Sequence, residues 1–502
     1  MLGIFSALWA ALIPVVFQNT LFSLSNRLKN CKERAEIFSC SYPGELIAAI
    51  TLSAWWVCLD WIRSWIFTGF PWGLFPVSQW QHPLLLQICE YTGIYGVDFL
   101  LIFCNFAIFF SGLELRNWVL GKKFRLSPVL PAAILLLGAV LILGVYLDQR
   151  QKQRFKDPSA LTVFRVGVVQ PDLSQRRAAS VNQSMEAINV CISLSESLLS
   201  SPQNSKPELI VWPESAVPVP YYLNNELSGE FRKQVRTLLK KSQIPFLIGT
   251  ITYEANPAGK SYDIYNSALL LRNSIPQFND PFYDRVNVYS KFHLVPFGEF
   301  IPLNDRFPQI GKMVGMGRNL TPGKSIQPLS LSEEIRLGTV ICYEDVFPYV
   351  CRKQAVNGAN LLLVITNDAW YPTSFEPQQH YANSVFRSIE TRLPMVRCGN
   401  SDYSVLIDTT GRTIDSASVE IHQGNKVLQP GKKQSCSAIF SVELPPDPEN
   451  LTFYVRFGNL FVGLCWLLLL AGFSHIMIKV LQFRKILQQP FEPEPPSTLP
   501  HS

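Results

Sequence analysis

The sequence predicts an α-helical transmembrane bundle joined to an α/β soluble domain. Three observations carry this. First, charge-poor hydrophobic stretches bracket a polar segment, and each is about 20 residues, long enough to cross a bilayer. Second, the polar segment, residues 161–445, alternates short β-branched runs with amphipathic stretches, the pattern of an α/β fold with buried sheets. Third, the chain of 502 residues is 48% hydrophobic and only 16% charged, with 33 Phe and 11 Trp. That balance leans toward a membrane protein with aromatic side chains at its interfaces.

The hydrophobic stretches lie near residues 2–22, 46–68, 91–112, 128–147 and 457–478. The first four define a membrane domain over residues 1–150. The Pro-rich tail 488–502 is expected to be disordered. The second stretch contains Asp60 and Arg63, one helical turn apart. They read as an internal ion pair near the membrane surface, or alternatively as a headgroup contact. Basic residues set the orientation. Arg27, Lys29, Lys32 and Arg34 follow the first stretch, and Arg116, Lys122, Lys123 and Arg125 follow the third. Lys479, Arg484 and Lys485 follow the fifth. The positive-inside rule puts these loops in the cytoplasm and the polar domain outside. Arg150, Lys152, Arg154 and Lys156 disagree, since they too would lie outside. Long domains translocate largely regardless of charge, so the other loops decide.

Composition also excludes. The net charge of +6 is mild and spread out, which gives no reason for a nucleic-acid partner. The 11 cysteines form no CxxC pair, and the six histidines no HxH or HExxH, so neither a metal nor a cofactor is expected. Five cysteines fall in the polar domain: Cys191, Cys342, Cys351, Cys398 and Cys436. An odd number leaves at least one unpaired, and the reading below assigns that role to Cys342.

Strands are expected at VFRVGVVQ, ELIVW, IPFLIGTITY, YNSALLL, RVNVYS, RLGTVICY, ANLLLVIT, MVRCGN and YSVLID. Helices are expected near 181–200, 228–242 and 378–392. Three of the strand ends carry reactive groups. Cys342 follows RLGTVI and precedes YEDVFPYVCRKQAVNGA, read as one helix. A thiol there gains from the helix N-terminus, which favours a thiolate. The bland alternative is a small buried apolar cysteine. Glu214 ends the apolar run ELIVWP. Partial desolvation would raise its pKa and make it a better base; it could also be a simple cap. Lys291 follows RVNVYS. It could balance an oxyanion, or be a solvated strand-end lysine. Glu299 and Glu344 are further acids that could orient Lys291 or a substrate amine, or serve as structural caps.

Beside these residues stand VGVVQPDL, VWPESAVP, YSKFHLVPFGEFIPL, ICYEDVFP and LLLVITNDAWY, with DWIRSWIFTGFPWG in the second hydrophobic stretch. Together they resemble apolipoprotein N-acyltransferase, the membrane branch of the nitrilase (carbon–nitrogen hydrolase) superfamily. The resemblance implies a nitrilase-like αββα sandwich inserted before the last span. It implies Glu214 as general base, Lys291 as oxyanion stabiliser and Cys342 as nucleophile. Glu299, Tyr343 and Glu344 fall on further positions that the family uses around the site. The implied reaction moves a fatty acyl group from a phospholipid, such as phosphatidylethanolamine, through a Cys thioester. The acceptor would be the α-amine of the S-diacylglyceryl cysteine of apolipoproteins. The implied location is a bacterial inner membrane, with the domain on the periplasmic side. The alternatives are a membrane-tethered amidase that uses water, and a non-catalytic lipoprotein-binding relative.

The sequence departs from the family pattern in two ways. The family has about seven spans before the domain, against four here. SALWAALIPVVFQNTLFSLSNRL resembles its fourth, so the chain is expected to begin late. NDAWYPTSFEPQQH and RCGNSDYS replace the family's NDAWFG and its Asn–Asn–Gly turn, which bears on substrate preference.

Overall fold

Two six-stranded sheets form the polar part of the chain, each with parallel strands at its centre and antiparallel ones at its edges. The structure is a computed structural model. It describes residues 2–17, 42–157, 161–174, 180–217, 219–221, 223, 225–255, 262–272, 288–302, 319–371, 373–422 and 425–487. The expected tail 488–502, residues 18–22 of the first hydrophobic stretch, and the basic loop after it lie outside the described residues. Contacts divide the chain into two units. One holds Met1–Arg63, Asp98–Gly138 and Val462–Ser502; the other holds Ser64–Val97 and Ala139–Phe461.

In the larger unit the first sheet uses β1 (Thr162–Gln170), β2 (Leu209–Val211), β3 (Phe246–Ala255), β4 (Tyr262–Leu271), β5 (Val288–Ser290) and β14 (Cys436–Leu444), in the order β14-β1-β2-β3-β4-β5. The second uses β6 (Leu329–Ser330), β7 (Arg336–Ile341), β8 (Leu361–Thr366), β9 (Met395–Gly399), β10 (Val405–Ile407) and β11 (Thr413–Ser416), in the order β11-β10-β9-β8-β7-β6. A hairpin of β12 (Val419–His422) and β13 (Asn425–Leu428) stands apart.

Alternation decides which side chains meet. Phe164, Val166 and Val168 from the first sheet share one core with Leu337, Ile341, Leu361, Leu363 and Ile365 from the second. The sheets therefore pack face to face. The other face of the first sheet, through Ile210, Trp212, Phe246 and Ile248, packs on Ile188, Cys191, Phe231 and Val235. These come from helices Val181–Leu199 and Glu226–Ser242. Beside the second sheet lies helix Pro348–Val356, whose Gln354 donates to Thr339 O at 2.7 Å. Gly338 leaves room for this approach, since a Cβ there would lie 2.9 Å from Ala359. The layer order is α, β, β, α. Strands β8 and β9 are buried along their whole length, as strands covered on both faces must be.

One expected element breaks in two. The residues after Cys342 form a short 3-10 turn, Cys342–Val346, and the α-helix begins only at Pro348. Proline disfavours the helical region for the residue before it, and Phe347 is extended at φ −93°, ψ 108°.

Among the described residues four helices are long and apolar enough to cross a membrane: Gly44–Arg63, Ile94–Val119, Val129–Arg154 and Leu460–Ile478; Gly3–Ile13 is shorter. The protein is a membrane protein. In the smaller unit Trp9 meets Trp56 edge-on at 5.1 Å, among Ala48, Leu52, Phe103 and Phe106. Asp60 and Arg63 form a buried ion pair at 2.9 Å, which favours the internal reading of these two residues.

Candidate active site

The reactive groups sit just past the ends of four strands. Glu214 lies three residues beyond β2, Lys291 directly after β5, Cys342 directly after β7 and Asp368 two residues beyond β8. Strand β3 crosses close behind Glu214. A Cβ at Gly249 would lie 2.5 Å from Pro213 O and 2.6 Å from Glu214 Cα, so only glycine fits. Asn367 Nδ2 donates to Glu214 O at 3.1 Å, and Asn400 donates to Asn367 Oδ1 at 3.0 Å.

Lys291 is 1% exposed and stands between two carboxylates, Glu299 at 2.9 Å and Glu214 at 3.5 Å. Asn266 Nδ2 donates to both, at 2.7 Å to Glu214 and 2.8 Å to Glu299. Val295 N donates to the second Glu299 oxygen at 2.8 Å. Burial opposes the Lys291 ammonium, but Glu299 and Glu214 outweigh it and hold the pKa well above the usual lysine value. Glu214 is raised, first by burial and further by Glu299, while Lys291 opposes the shift. Burial makes the carboxylate a better base than a solvated one, and the cation beside it offsets part of that gain.

Cys342 is half-buried, and its thiol feels the charges of both Glu214 and Lys291. Its φ is 51°, the left-handed region that costs a residue with a Cβ. That turn swings the thiol out of the strand direction toward the carboxylate. Sequence reasoning expected a thiol lowered by a helix terminus. Instead, burial and the charge of Glu214 push it well above the usual thiol value, with Lys291 opposing. The α-helix starts six residues later, too far to help. A thiol so placed rests protonated and needs a base to remove its proton.

Glu344 is fully buried and accepts from Ile341 N at 2.8 Å, Phe292 N at 2.7 Å, His293 N at 3.1 Å and Tyr289 Oη at 3.0 Å. It ties the Lys291 loop to the Cys342 turn, so the cap reading fits it. Burial first, against these bonds, brings it to about 7. Glu299 is the acid that orients Lys291. Tyr343 stacks on Trp72 at 6.1 Å and meets Phe347 edge-on at 5.0 Å. Trp72 Nε1 donates to Gln379 Oε1 at 2.9 Å, so GFPWG packs beside this turn.

Sequence reasoning assigned no role to several residues here. Asn266 is a buried amide two residues before the apolar run ALLL that ends β4, and that position was its signal. Behind Cys342 lies a sealed ionic cluster. His380 Nε2 is 2.7 Å from Asp345 and its Nδ1 bonds Asp368 at 2.9 Å. Arg397 reaches Asp345 at 2.7 Å and Asp368 at 2.9 Å. Burial opposes the His380 cation, yet the two carboxylates raise it to about 10. Cys342, Asp368 and His380 bring a thiol, a carboxylate and an imidazole within 4.8 Å of one another. Both imidazole nitrogens already face carboxylates, so the set offers a metal ion no free imidazole. All nine described cysteines are free thiols.

Comparison with known proteins gives the family. The carbon-nitrogen hydrolase family matches residues 165–423, and the apolipoprotein N-acyltransferase N-terminal domain matches residues 1–107. The chain is 30% identical over 394 residues to an apolipoprotein N-acyltransferase of Rhizobium leguminosarum bv. trifolii, covering 77% of this chain and 68% of that one. The chain belongs to the apolipoprotein N-acyltransferase family. The enzyme of that name from Geobacter metallireducens is 28% identical over 430 residues, 86% of this chain and 73% of its own. Among solved structures, a carbon-nitrogen hydrolase from Helicobacter pylori G27 covers 59% of this chain and 94% of its own, at 16% identity and a TM-score of 0.37.

Proposed function

We propose that the protein transfers a fatty acyl group from a phospholipid to the α-amine of an S-diacylglyceryl cysteine at an apolipoprotein N-terminus. The observation that carries the reading is the contact set in which Lys291 bridges Glu214 and Glu299, with the Cys342 thiol within electrostatic reach of Glu214 and Lys291. Glu214 takes the proton from the Cys342 thiol. The sulfur attacks the ester carbonyl, and Lys291 with nearby backbone N–H groups balances the oxyanion. The carbonyl–oxygen bond breaks, the glycerol oxygen takes the proton back from Glu214, and lysophospholipid leaves. In the second half the acceptor amine attacks the thioester. Glu214 takes a proton from the amine, the amide forms, and the proton returns to the departing sulfur.

Phosphatidylethanolamine is the donor on this reading. The polar domain faces the periplasm of a bacterial inner membrane, where mature lipoprotein N-termini lie. The departures at Trp370–Tyr371 and Cys398–Ser401 bear on which donor is preferred. Incubation with labelled phospholipid and a diacylglyceryl peptide tests the reading. Label on the peptide amine is the expected result. Label released as free fatty acid would instead mark an amidase-like hydrolase, and no turnover a binding protein; either outcome refutes it.

A further inference from the structure

The basic run from Arg150 to Lys156 defies the positive-inside pattern, and its partners explain why. Arg154 donates to Asp447 at 2.6 Å, and Lys152 pairs with Asp148 at 2.8 Å. Arg150 pairs with Glu90. Glu90 also takes Arg392, at 2.9 Å from Nε and 2.8 Å from Nη2. One carboxylate thus serves two guanidinium groups. Arg456 donates to Leu451 O at 3.0 Å and to Asn450 at 3.5 Å. Among the described residues no carboxylate lies within ion-pair distance of it.

Arg150, Arg154, Arg392 and Arg456 line one cavity of ≈ 460 Å³, whose acids are Glu90 and Asp447. The cavity therefore holds an excess of positive charge. Arg392 is 2% exposed and its position is fixed by Gln87 at 2.7 Å and Thr409 O at 2.8 Å. Aromatic rings form part of the wall. Tyr91 and Phe453 lie 6.0 Å apart, Phe453 and Phe457 4.6 Å, and Phe453 and Phe457 are exposed. The apolar helix Val129–Arg154 ends at this cavity, and helix Leu460–Leu487 begins three residues past Phe457. Cations beside exposed rings at the ends of membrane helices match the chemistry of a bilayer surface.

We propose that this cavity binds the phosphate of an anionic phospholipid headgroup, with Arg456 and Arg150 on the phosphate and Phe453 and Phe457 against the lipid backbone. None of its lining residues belongs to the cluster around Cys342. It is thus a lipid site separate from the acyl-transfer site, and it does not depend on the reaction proposed above.

The full-length protein in detergent is titrated with dioctanoyl phosphatidylglycerol, with dioctanoyl phosphatidylcholine and with inorganic phosphate, and binding is followed by native mass spectrometry. Phosphatidylglycerol should bind more tightly than phosphatidylcholine. Arg456→Gln should weaken it roughly five- to tenfold, the loss of one cation at a headgroup, and Arg456→Lys should restore much of it. Arg456 is exposed, so the substitution strands no buried group. Arg150→Gln should give the same loss, and a thermal melt reports folding for each variant. Phosphatidylglycerol affinity within twofold of wild type in both Gln variants overturns the proposal. So does equal affinity for phosphatidylcholine. Full displacement by millimolar inorganic phosphate, with the same dependence on Arg456, would make this a soluble-anion site instead.

Discussion

Lys291→Met removes the cation between buried Glu214 and partly buried Glu299. At an effective dielectric of about 20, charges 2.9 and 3.5 Å apart attract by about 6 and 5 kcal/mol before desolvation is counted. Burial of the ammonium takes back several kcal/mol. The net effect of losing one partner from a buried set is about 3–5 kcal/mol of stability. Glu214 and Glu299 then repel through Asn266, and one of them must take up a proton. If Glu214 does so, the base is gone as well as the oxyanion partner. Acyl transfer should fall by about 3–4 kcal/mol, a factor of about 10²–10³. The Cys342 thiol, already high, should rise further once its neighbouring cation is lost. The assay is alkylation of the purified protein against pH, read by intact mass, alongside transfer from labelled phospholipid. The double variant Lys291→Met/Glu299→Gln separates folding from chemistry. It removes the repulsion, so melting temperature should recover while transfer does not. If Lys291→Met leaves both the alkylation profile and transfer unchanged, Lys291 has no part in the site and the reasoning fails.

Cys342→Ala should abolish transfer but leave the protein in the membrane, because one half-buried thiol is lost at a turn. The wild type given phospholipid alone should gain one hydroxylamine-sensitive acyl mass, and that mass on any other cysteine refutes the assignment. His380 offers a pH test: it is raised from 6.5 to about 10 in the fold. Its cation therefore adds stability fully below pH 6.5, and that contribution fades as pH rises through about 10. Melting temperatures of wild type and His380→Gln should differ most below pH 6.5 and converge toward pH 10; a gap that widens with pH contradicts the ion cluster. Cysteine-labelling in cells should place residues 113–127 in the cytoplasm and residues 161–445 outside, and a cytoplasmic polar domain would rule out a lipoprotein acceptor.

The strands of the polar domain were legible because β-branched runs such as LLLVIT and RLGTVI are buried on both faces and admit little else. Cys342, Glu214 and Lys291 were legible because each is a reactive residue closing such a run. The partners were harder. Asn266 sits inside β4 and His380 inside helix Glu376–Thr391, where local pattern marks them only as polar interruptions. Their partners are distant in sequence: Asn266 meets Glu214 and Glu299, and His380 meets Asp345 and Asp368. Only the stacking of strand ends brings them together. The state of the thiol escapes the sequence for the same reason. A turn broken by Pro348 cannot be told from a continuous helix by apolar spacing alone, and burial by neighbouring loops leaves no local trace.

The protonated resting state of the thiol bears on the chemistry. A resting thiolate would be open to oxidation and to any passing electrophile. A thiol held neutral by burial, with Glu214 beside it, reacts only when its proton is taken. The loops that carry the site also project large apolar side chains: Phe297, Trp370, Tyr371 and Phe375 are all more than half exposed. Exposed aromatics grouped on functional loops are costly in water and are commonly covered by an apolar ligand. An acyl chain lying on them would exclude water from the thioester, and in a dry site the interactions of Lys291 gain strength. On the proposed reaction, the same cover would disfavour hydrolysis and leave a bound amine as the nucleophile that completes the transfer.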